Sequence, residues 1–402
     1  MHSSYSRIDN DVTLIGASFA GLACARALAK RGAQVTLLDR KADVGEKLHT
    51  TGILVKEAAE QEEILRDMPP YLVRRVEGVR LYSPNLRHID LDAPGYYFLA
   101  TDTPNLMRWL ANRARSEGVR VVLGTAFQNA VERDDGWNLD GAGRVGHTRY
   151  LVGADGPSSR VARLLHLGVN REFLTGVEYE YCRDIASGDA TIPSGPPAAS
   201  GLSSPDSASS HSDVDLEGRL HCFIDKQLAP GYIGWVVPGV HHLQVGLARR
   251  QGAGSLSATQ AMTQFLEKIA PIADFRSASP VSVRAGLIPC GGLVSPLARP
   301  RALLVGDAAG MVSPVTAGGI HTALKHGHAA GHAIADFLQG KAGDPCGAFT
   351  QSYPRFRTKR ALRWLFDHGQ TDWAFNLFLN TPPLRWAAGK VYFHRKGVWA
   401  GK

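Results

Sequence analysis

Val12, Leu14 and Ile15 make DVTLI at residues 11–15 mostly apolar and β-branched, the pattern of a buried strand. The chain then turns at GASFAG and continues into LACARALAKRG, whose apolar spacing predicts a helix closed by Gly32. QVTLLD at 34–39 restores a buried strand, so the chain opens as a βαβ unit. Between 76 and 98 the pattern changes to alternation (VEGVRLYS, RHIDLD, GYYFLA), the mark of antiparallel strands. PNLMRWLANRARSEG at 104–118 reads as an amphipathic helix leading into VRVVLG, and RYLVGADG at 149–156 is again a buried strand and turn.

From about 171 to 285 strand patterns dominate: TGVEYEYCRDI, RLHCFIDK, YIGWVVP and HHLQVGLAR bracket one helix near 257–270. Inside that stretch residues 186–218 are dense in Ser, Pro, Gly and Ala without any period, which predicts an inserted, mobile loop. RALLVGDAAG at 301–310 is a strand and turn. The small-residue helix GGIHTALKHGHAAGHAIADFL that follows must pack closely against another element.

Composition adds limits. With 402 residues and 44% hydrophobic content the chain can bury a large core. Five scattered cysteines form no CxxC pair and are odd in number, so neither a disulfide framework nor a zinc site is implied, and a reducing, cytoplasmic setting is expected. The polar N-terminus and the glycines that interrupt its first apolar run argue against a signal peptide, and no segment reaches membrane-spanning length.

The net charge of +8 has one source: residues 353–402 hold 10 Lys/Arg against 2 Asp/Glu. Four of the seven tryptophans, Trp364, Trp373, Trp386 and Trp399, lie in the same tail. This mixture suits an anionic membrane surface, where rings partition at the headgroup boundary and basic side chains meet acidic lipid. The competing reading folds Trp364, Leu365, Phe366, Phe375 and Phe378 back onto the protein as core. Apolar interruptions such as WAFNLFL argue against a nucleic-acid surface.

The candidate chemistry begins at Gly16, Ala17, Ser18, Ala20 and Gly21. There a tight turn into a helix lets backbone N–H groups and the helix dipole meet a pyrophosphate, with Ser18 in place of the usual second glycine. Asp39 ends the second strand 23 residues after Gly16, placed to accept ribose hydroxyls of an adenosine, with Arg40 beside it. Two further motifs, GADGPSSR at 153–160 and VGDAAGMVSPVTAGGIHTA at 305–323, follow in order. His326, His328 and His332 fall at helical spacings without an accompanying carboxylate motif, so no metal site is expected.

With these motifs the sequence resembles the para-hydroxybenzoate hydroxylase superfamily of FAD-dependent oxidoreductases. GYIGWVVPGVHHLQVGLA at 231–248 and PVTAGGI at 314–320 are similar to its geranylgeranyl reductase-like branch. The resemblance implies an α/β Rossmann-type domain that binds FAD in extended form. That domain would occupy residues 8–170, with a β insertion at 71–98, and 286–345; a β-rich substrate domain would span 171–285, and a basic aromatic helical region 346–402. It also implies that Asp155 and Gly156 support the pyrophosphate side. Gly306 and Asp307 would meet the ribityl chain, while Pro314, Gly318 and Gly319 would present a helix start to the flavin N1–C2=O edge, where reduction places negative charge.

In the reductase branch a Cys-Gly segment follows the adenosine-binding strand; here LHTTGIL places His49 at the cysteine's position. His49 and His321 are the candidate proton donors, and Tyr232 and Trp235 the candidate substrate wall. No second GxGxxG marks a nicotinamide domain, so electrons would come from NAD(P)H docking transiently or from a reduced ferredoxin. The expected reaction is reduction of a C=C bond in an apolar, prenyl-type substrate. Aromatic hydroxylation and electron relay to a membrane quinone remain alternatives; halogenation is disfavoured, since GWVVP lacks the halogenase Trp-x-Trp element.

Overall fold

The computed structural model describes residues 10–141, 144–183, 216, 218–316, 318–354 and 356–393. Nearly all of the Ser/Pro/Gly-rich segment 186–218, and Trp399 with the last residues of the tail, lie outside them.

The buried strand Asn10–Ile15 sits at the centre of an eight-stranded sheet. It pairs in parallel with Val35–Leu38 on one side and Arg144–Gly153 on the other, and Arg120–Val122 and Ala302–Leu304 extend this parallel core. Parallel strands need crossovers, and the first is the helix Phe19–Ala29. The partner that the small-residue helix requires is this same helix. A Cβ on Gly327 of Ile320–Leu338 would lie 2.4 Å from the Ala20 carbonyl oxygen, so glycine permits a backbone-to-backbone approach. Leu14, Leu22, Leu28, Leu324 and Ile334 close the core between sheet and helices.

A second, seven-stranded sheet runs in the order Ser282–Pro289, Phe173–Cys182, His242–Arg250, Gly234–Pro238, Arg219–Phe223, Gly78–Tyr82, His88–Asp92. The last two strands come from the first part of the chain and join through one parallel pairing, Leu220 opposite Val79. The helix Ala258–Ile269, started by a Ser257–Gln260 capping box, buries Met262 and Phe265 against this sheet. Ile53–Val55, Phe98–Thr101 and Val73–Val76 form a small third sheet.

The C-terminal region forms three helices, Arg357–Gly369, Asp372–Phe378 and Pro382–Tyr392. Of the residues that the core reading names, Phe375 packs inward, whereas Trp364 and Phe378 stand exposed. Leu379 and Phe393 are buried in a cluster with Leu81, Phe98 and Val237, and Phe375 packs against it. Trp364, Trp373, Leu377 and Trp386 are 62%, 65%, 65% and 50% exposed. Among the described residues no helix is long and apolar enough to cross a membrane.

Candidate active site

One cavity of about 2120 Å³ runs between the two large sheets and under the C-terminal helices. Ordinary ligand pockets hold roughly 300–1,000 Å³, so this space admits a cofactor and a second large molecule together. Its lining changes character along its length, from the glycine turn with Asp39, Arg40 and Asp155 to the apolar Leu81, Leu220, Ile224, Leu379 and Tyr392.

At the polar end Gly16 adopts φ +108°, and a Cβ there would stand 2.3 Å from the Ala154 carbonyl oxygen, so both conformation and space require glycine. Ser18 has ordinary extended backbone and caps the helix, its hydroxyl accepting from the Gly21 N–H at 3.2 Å. The residue that replaces the second glycine therefore also starts the helix. Asp39 accepts from the Ala17 N–H at 2.7 Å and the Lys41 N–H at 2.9 Å, which ties the end of the second strand to the turn. Asp155 caps a helix of its own: it accepts from the Ser159 hydroxyl at 2.6 Å and from the Arg160 and Val161 N–H groups, while burial pushes its carboxyl up.

Asp307 follows Gly306 in the turn Gly306–Ala309, at the foot of the helix Ile320–Leu338. It lines the cavity, and among the described residues no donor reaches its carboxylate; burial raises its pKa to about 6. Gly319 stands beside it, where a Cβ would lie 3.2 Å from Val312 Cγ2 and 3.5 Å from Asp307 Oδ1. Gly318 lines the same wall, and the Pro314 carbonyl accepts from Arg363 of the first tail helix at 3.3 Å. A half-buried acceptor that no donor of the described residues reaches, beside a helix start and in the same cavity as a glycine turn, fits a dinucleotide with ribityl hydroxyls. The residues present thus fit FAD.

His49 also lines the cavity. Its ring lies over Gly286, where a Cβ would meet the His49 Cβ at 2.7 Å, and Nδ1 stands 2.6 Å from the Ala285 carbonyl. That contact makes Nδ1 the donor and leaves Nε2 to exchange a proton. Its loop is pinned on both flanks. Arg284 donates to the Thr50 carbonyl at 3.1 Å, and the Thr101 hydroxyl donates to the Gly52 carbonyl at 2.8 Å. His321 lies on the first turn of the long helix and also lines the cavity, with Nε2 3.4 Å from Glu62. His326 stacks on Tyr353 and His328 on His332, and no cluster able to hold a metal exists among the described residues.

Tyr232 and Trp235 both line the cavity, and each is anchored. Tyr232 donates to the Thr316 carbonyl at 2.5 Å, joining the seven-stranded sheet to the loop beneath Gly318. The Trp235 indole N–H donates to Glu178 at 2.9 Å. Registry explains this contact, because Arg284, Glu178, Gly246 and Trp235 stand opposite one another on four adjacent strands. A Cβ on Gly246 would fall 2.6 Å from the indole, so the glycine leaves the space that the ring crosses to reach Glu178. Sequence reading missed Glu178 and Arg284. The available signal was the pair of acids at 178 and 180 on one face of a strand that is buried on both.

The FAD binding domain profile matches residues 9–177 and 291–363. The chain belongs to the FAD-binding domain family. It is an FAD-dependent oxidoreductase. It is 28% identical over 354 residues to digeranylgeranylglycerophospholipid reductase 2 of Methanosphaera stadtmanae, covering 83% of this chain and 79% of that one. It is 27% identical to digeranylgeranylglycerophospholipid reductase 2 of Methanopyrus kandleri, covering 90% and 83%. Among solved structures, a geranylgeranyl bacteriochlorophyll reductase-like protein of Thermoplasma acidophilum superimposes with TM-score 0.76 at 17% identity, over 92% of this chain and 90% of that one. The p-nitrophenol 4-monooxygenase of Pseudomonas putida superimposes with TM-score 0.65 at 15% identity, over 98% and 95%. Both structural likenesses concern the fold.

Proposed function

We propose that this flavoenzyme reduces carbon–carbon double bonds in the prenyl chain of a lipid. The observation that carries the reading is the apolar extension of the cavity. Beyond the flavin-binding residues it continues between Leu81, Leu220, Ile224 and Val237 on the substrate sheet and Leu379, Ala388 and Tyr392 on the tail. Such walls hold a long hydrocarbon. The curated relatives, named for reduction of a digeranylgeranyl lipid, support the same choice.

In this reading the turn Gly16–Gly21 and Asp39 hold the pyrophosphate and adenosine, with Arg40, Asp155 and Gly156 alongside. Asp307 accepts from the ribityl chain, and Pro314, Gly318 and Gly319 face the flavin edge. Bound FAD, once reduced, supplies the hydride. His49, fixed by Ala285 and Gly286, gives a proton from Nε2 to the chain; Tyr232 and Trp235 keep water from it and fix its path. His321 faces the cavity with Glu62 behind it and holds the helix start. NAD(P)H or a reduced ferredoxin supplies the electrons.

The tail serves as the roof of the chamber and as the side turned to the lipid. Trp373, Leu377 and Trp386 face outward, and Lys390 sits 3.5 Å from the Trp386 ring centroid, so apolar and cationic groups share that surface. Docking on an anionic membrane would bring the chamber to a substrate that does not leave the bilayer.

The test is to reduce the holoprotein without oxygen and mix it separately with a prenyl-chain lipid and with oxygenated buffer containing phenolic acids. Flavin reoxidation by the lipid alone supports the reading. Reoxidation only by oxygen, with hydroxylated phenol formed, refutes it.

A further inference from the structure

Glu178 is only 4% exposed, yet it lines the cavity in the middle of the substrate sheet. Three elements face it. Trp235 donates to Oε2 from two strands away, across Gly246, Arg284 approaches Oε1 at 3.6 Å from the adjacent strand, and the Thr51 hydroxyl lies against the carboxyl from the His49 loop. On its own strand Glu180, 7% exposed, takes Arg284 at 2.5 Å and a 3.4 Å bond from Gln244. Two buried carboxyls therefore share one guanidinium, and the shorter contact belongs to Glu180. Oε1 of Glu178 has no hydrogen bond. A buried carboxylate whose cation is hydrogen-bonded to another acid is costly, whereas the protonated acid carries no charge and can give its O–H to the Thr51 hydroxyl.

We propose that Glu178 is held as a neutral carboxylic acid and stores the proton that saturates the double bond, passing it to the bound chain by way of the Thr51 hydroxyl. Thr51 lines the cavity next to His49, so the store opens onto the reacting region. This deepens the reductase reading and rests on it, and it moves the first proton from His49 to the Glu178–Thr51 pair. Bound FAD, once reduced, would supply the hydride and the two electrons to one alkene carbon. The Thr51 hydroxyl gives a proton to the other carbon and takes one from Glu178. Two C–H bonds form, the π bond breaks, and the Glu178 carboxylate left beside Arg284 is reprotonated from solvent. Burial, the largest influence, raises the Glu178 pKa, and Glu180 adds to it; Thr51, Arg284 and Trp235 act the other way.

Infrared spectroscopy of the resting holoprotein tests protonation without any turnover. A carboxylic-acid carbonyl band that shifts in D2O should be present in wild type and E180Q and absent in E178Q. E178Q keeps an acceptor for Trp235, so it should retain FAD and melt as wild type does. Its lipid-driven flavin reoxidation should fall about 10²-fold or more, the size of a lost general acid. The wild-type rate should decline as pH rises through the Glu178 pKa, E178D should restore part of it, and E178Q should be flat across that range. Absence of the band, or an E178Q rate equal to wild type, overturns the proposal. A band present in a protein that saturates no prenyl chain would instead refute the substrate reading and leave the protonation of Glu178 standing.

Discussion

Replacing Asp307 by Asn should move two properties in opposite directions. In the FAD-free fold burial raises the carboxyl from 3.8 to about 6, so its ionised form is held at a cost. A folded pKa above the unfolded one means that stability from this group is greatest below the unfolded value and is lost as pH climbs to about 6. At pH 7 Asn removes that cost, worth up to about 3 kcal/mol for a shift near two units, and the FAD-free protein should melt higher. Binding should weaken instead. A hydrogen bond to a charged acceptor contributes about 1.5–3 kcal/mol and a neutral one about 0.5–1.5, so Asn should raise the FAD Kd roughly tenfold and Ala up to about a hundredfold. Since a ribityl hydroxyl favours the ionised acceptor, FAD binding below pH 6 must release a proton. The wild-type Kd should therefore weaken by about tenfold per pH unit as pH falls below about 6, while the Asn variant stays flat over that range. Flavin fluorescence titration of the stripped protein at several pH values, with thermal melts of the same samples, reads both effects. Wild-type Kd and wild-type pH dependence in Asp307→Asn would show that Asp307 does not meet the cofactor.

His49→Ala should keep FAD and the melting temperature, because its loop is pinned independently through Gly52 and Thr50; a loss of about 10²-fold in lipid-driven flavin reoxidation makes Nε2 the proton donor, and a rate near wild type leaves that role to the Glu178–Thr51 pair. The full chain should pellet with acidic but not neutral vesicles at low salt, at about 1 kcal/mol per basic residue near the surface, and high salt should weaken this. Trp373→Ala with Trp386→Ala should reduce it further without loss of FAD, and equal, negligible pelleting under every condition refutes the membrane role of the tail.

The parts of the molecule legible in the sequence are those built by neighbours in the chain. A tight turn between a buried strand and a helix leaves Gly16, Ser18 and Gly21 in a fixed order, and Asp39 lies one βαβ unit away. The small-residue helix announces a close partner, though its identity as Phe19–Ala29 depends on contact across some three hundred residues. Periodicity marks Gly78–Tyr82 and His88–Asp92 as strands but carries no information on which sheet receives them; their neighbour is Arg219–Phe223. Glu178 and Arg284 escape notice for the same reason, since opposition on adjacent strands is a matter of register. The tail is half legible. Composition shows that it mixes rings and cations, but only the packing shows Leu379 and Phe393 turned inward and Trp373 and Trp386 outward.

The central claim is that electrons from the flavin end in a carbon–carbon bond. It is met most directly by counting products after one anaerobic turnover. Holoprotein reduced by a single two-electron equivalent per FAD is mixed with a prenyl-chain lipid in the absence of oxygen, and the lipid is analysed by mass. The account predicts one double bond saturated, a gain of two hydrogens, for each flavin reoxidised. Flavin that stays reduced beside an unaltered lipid, and is reoxidised only when oxygen is admitted, would contradict it.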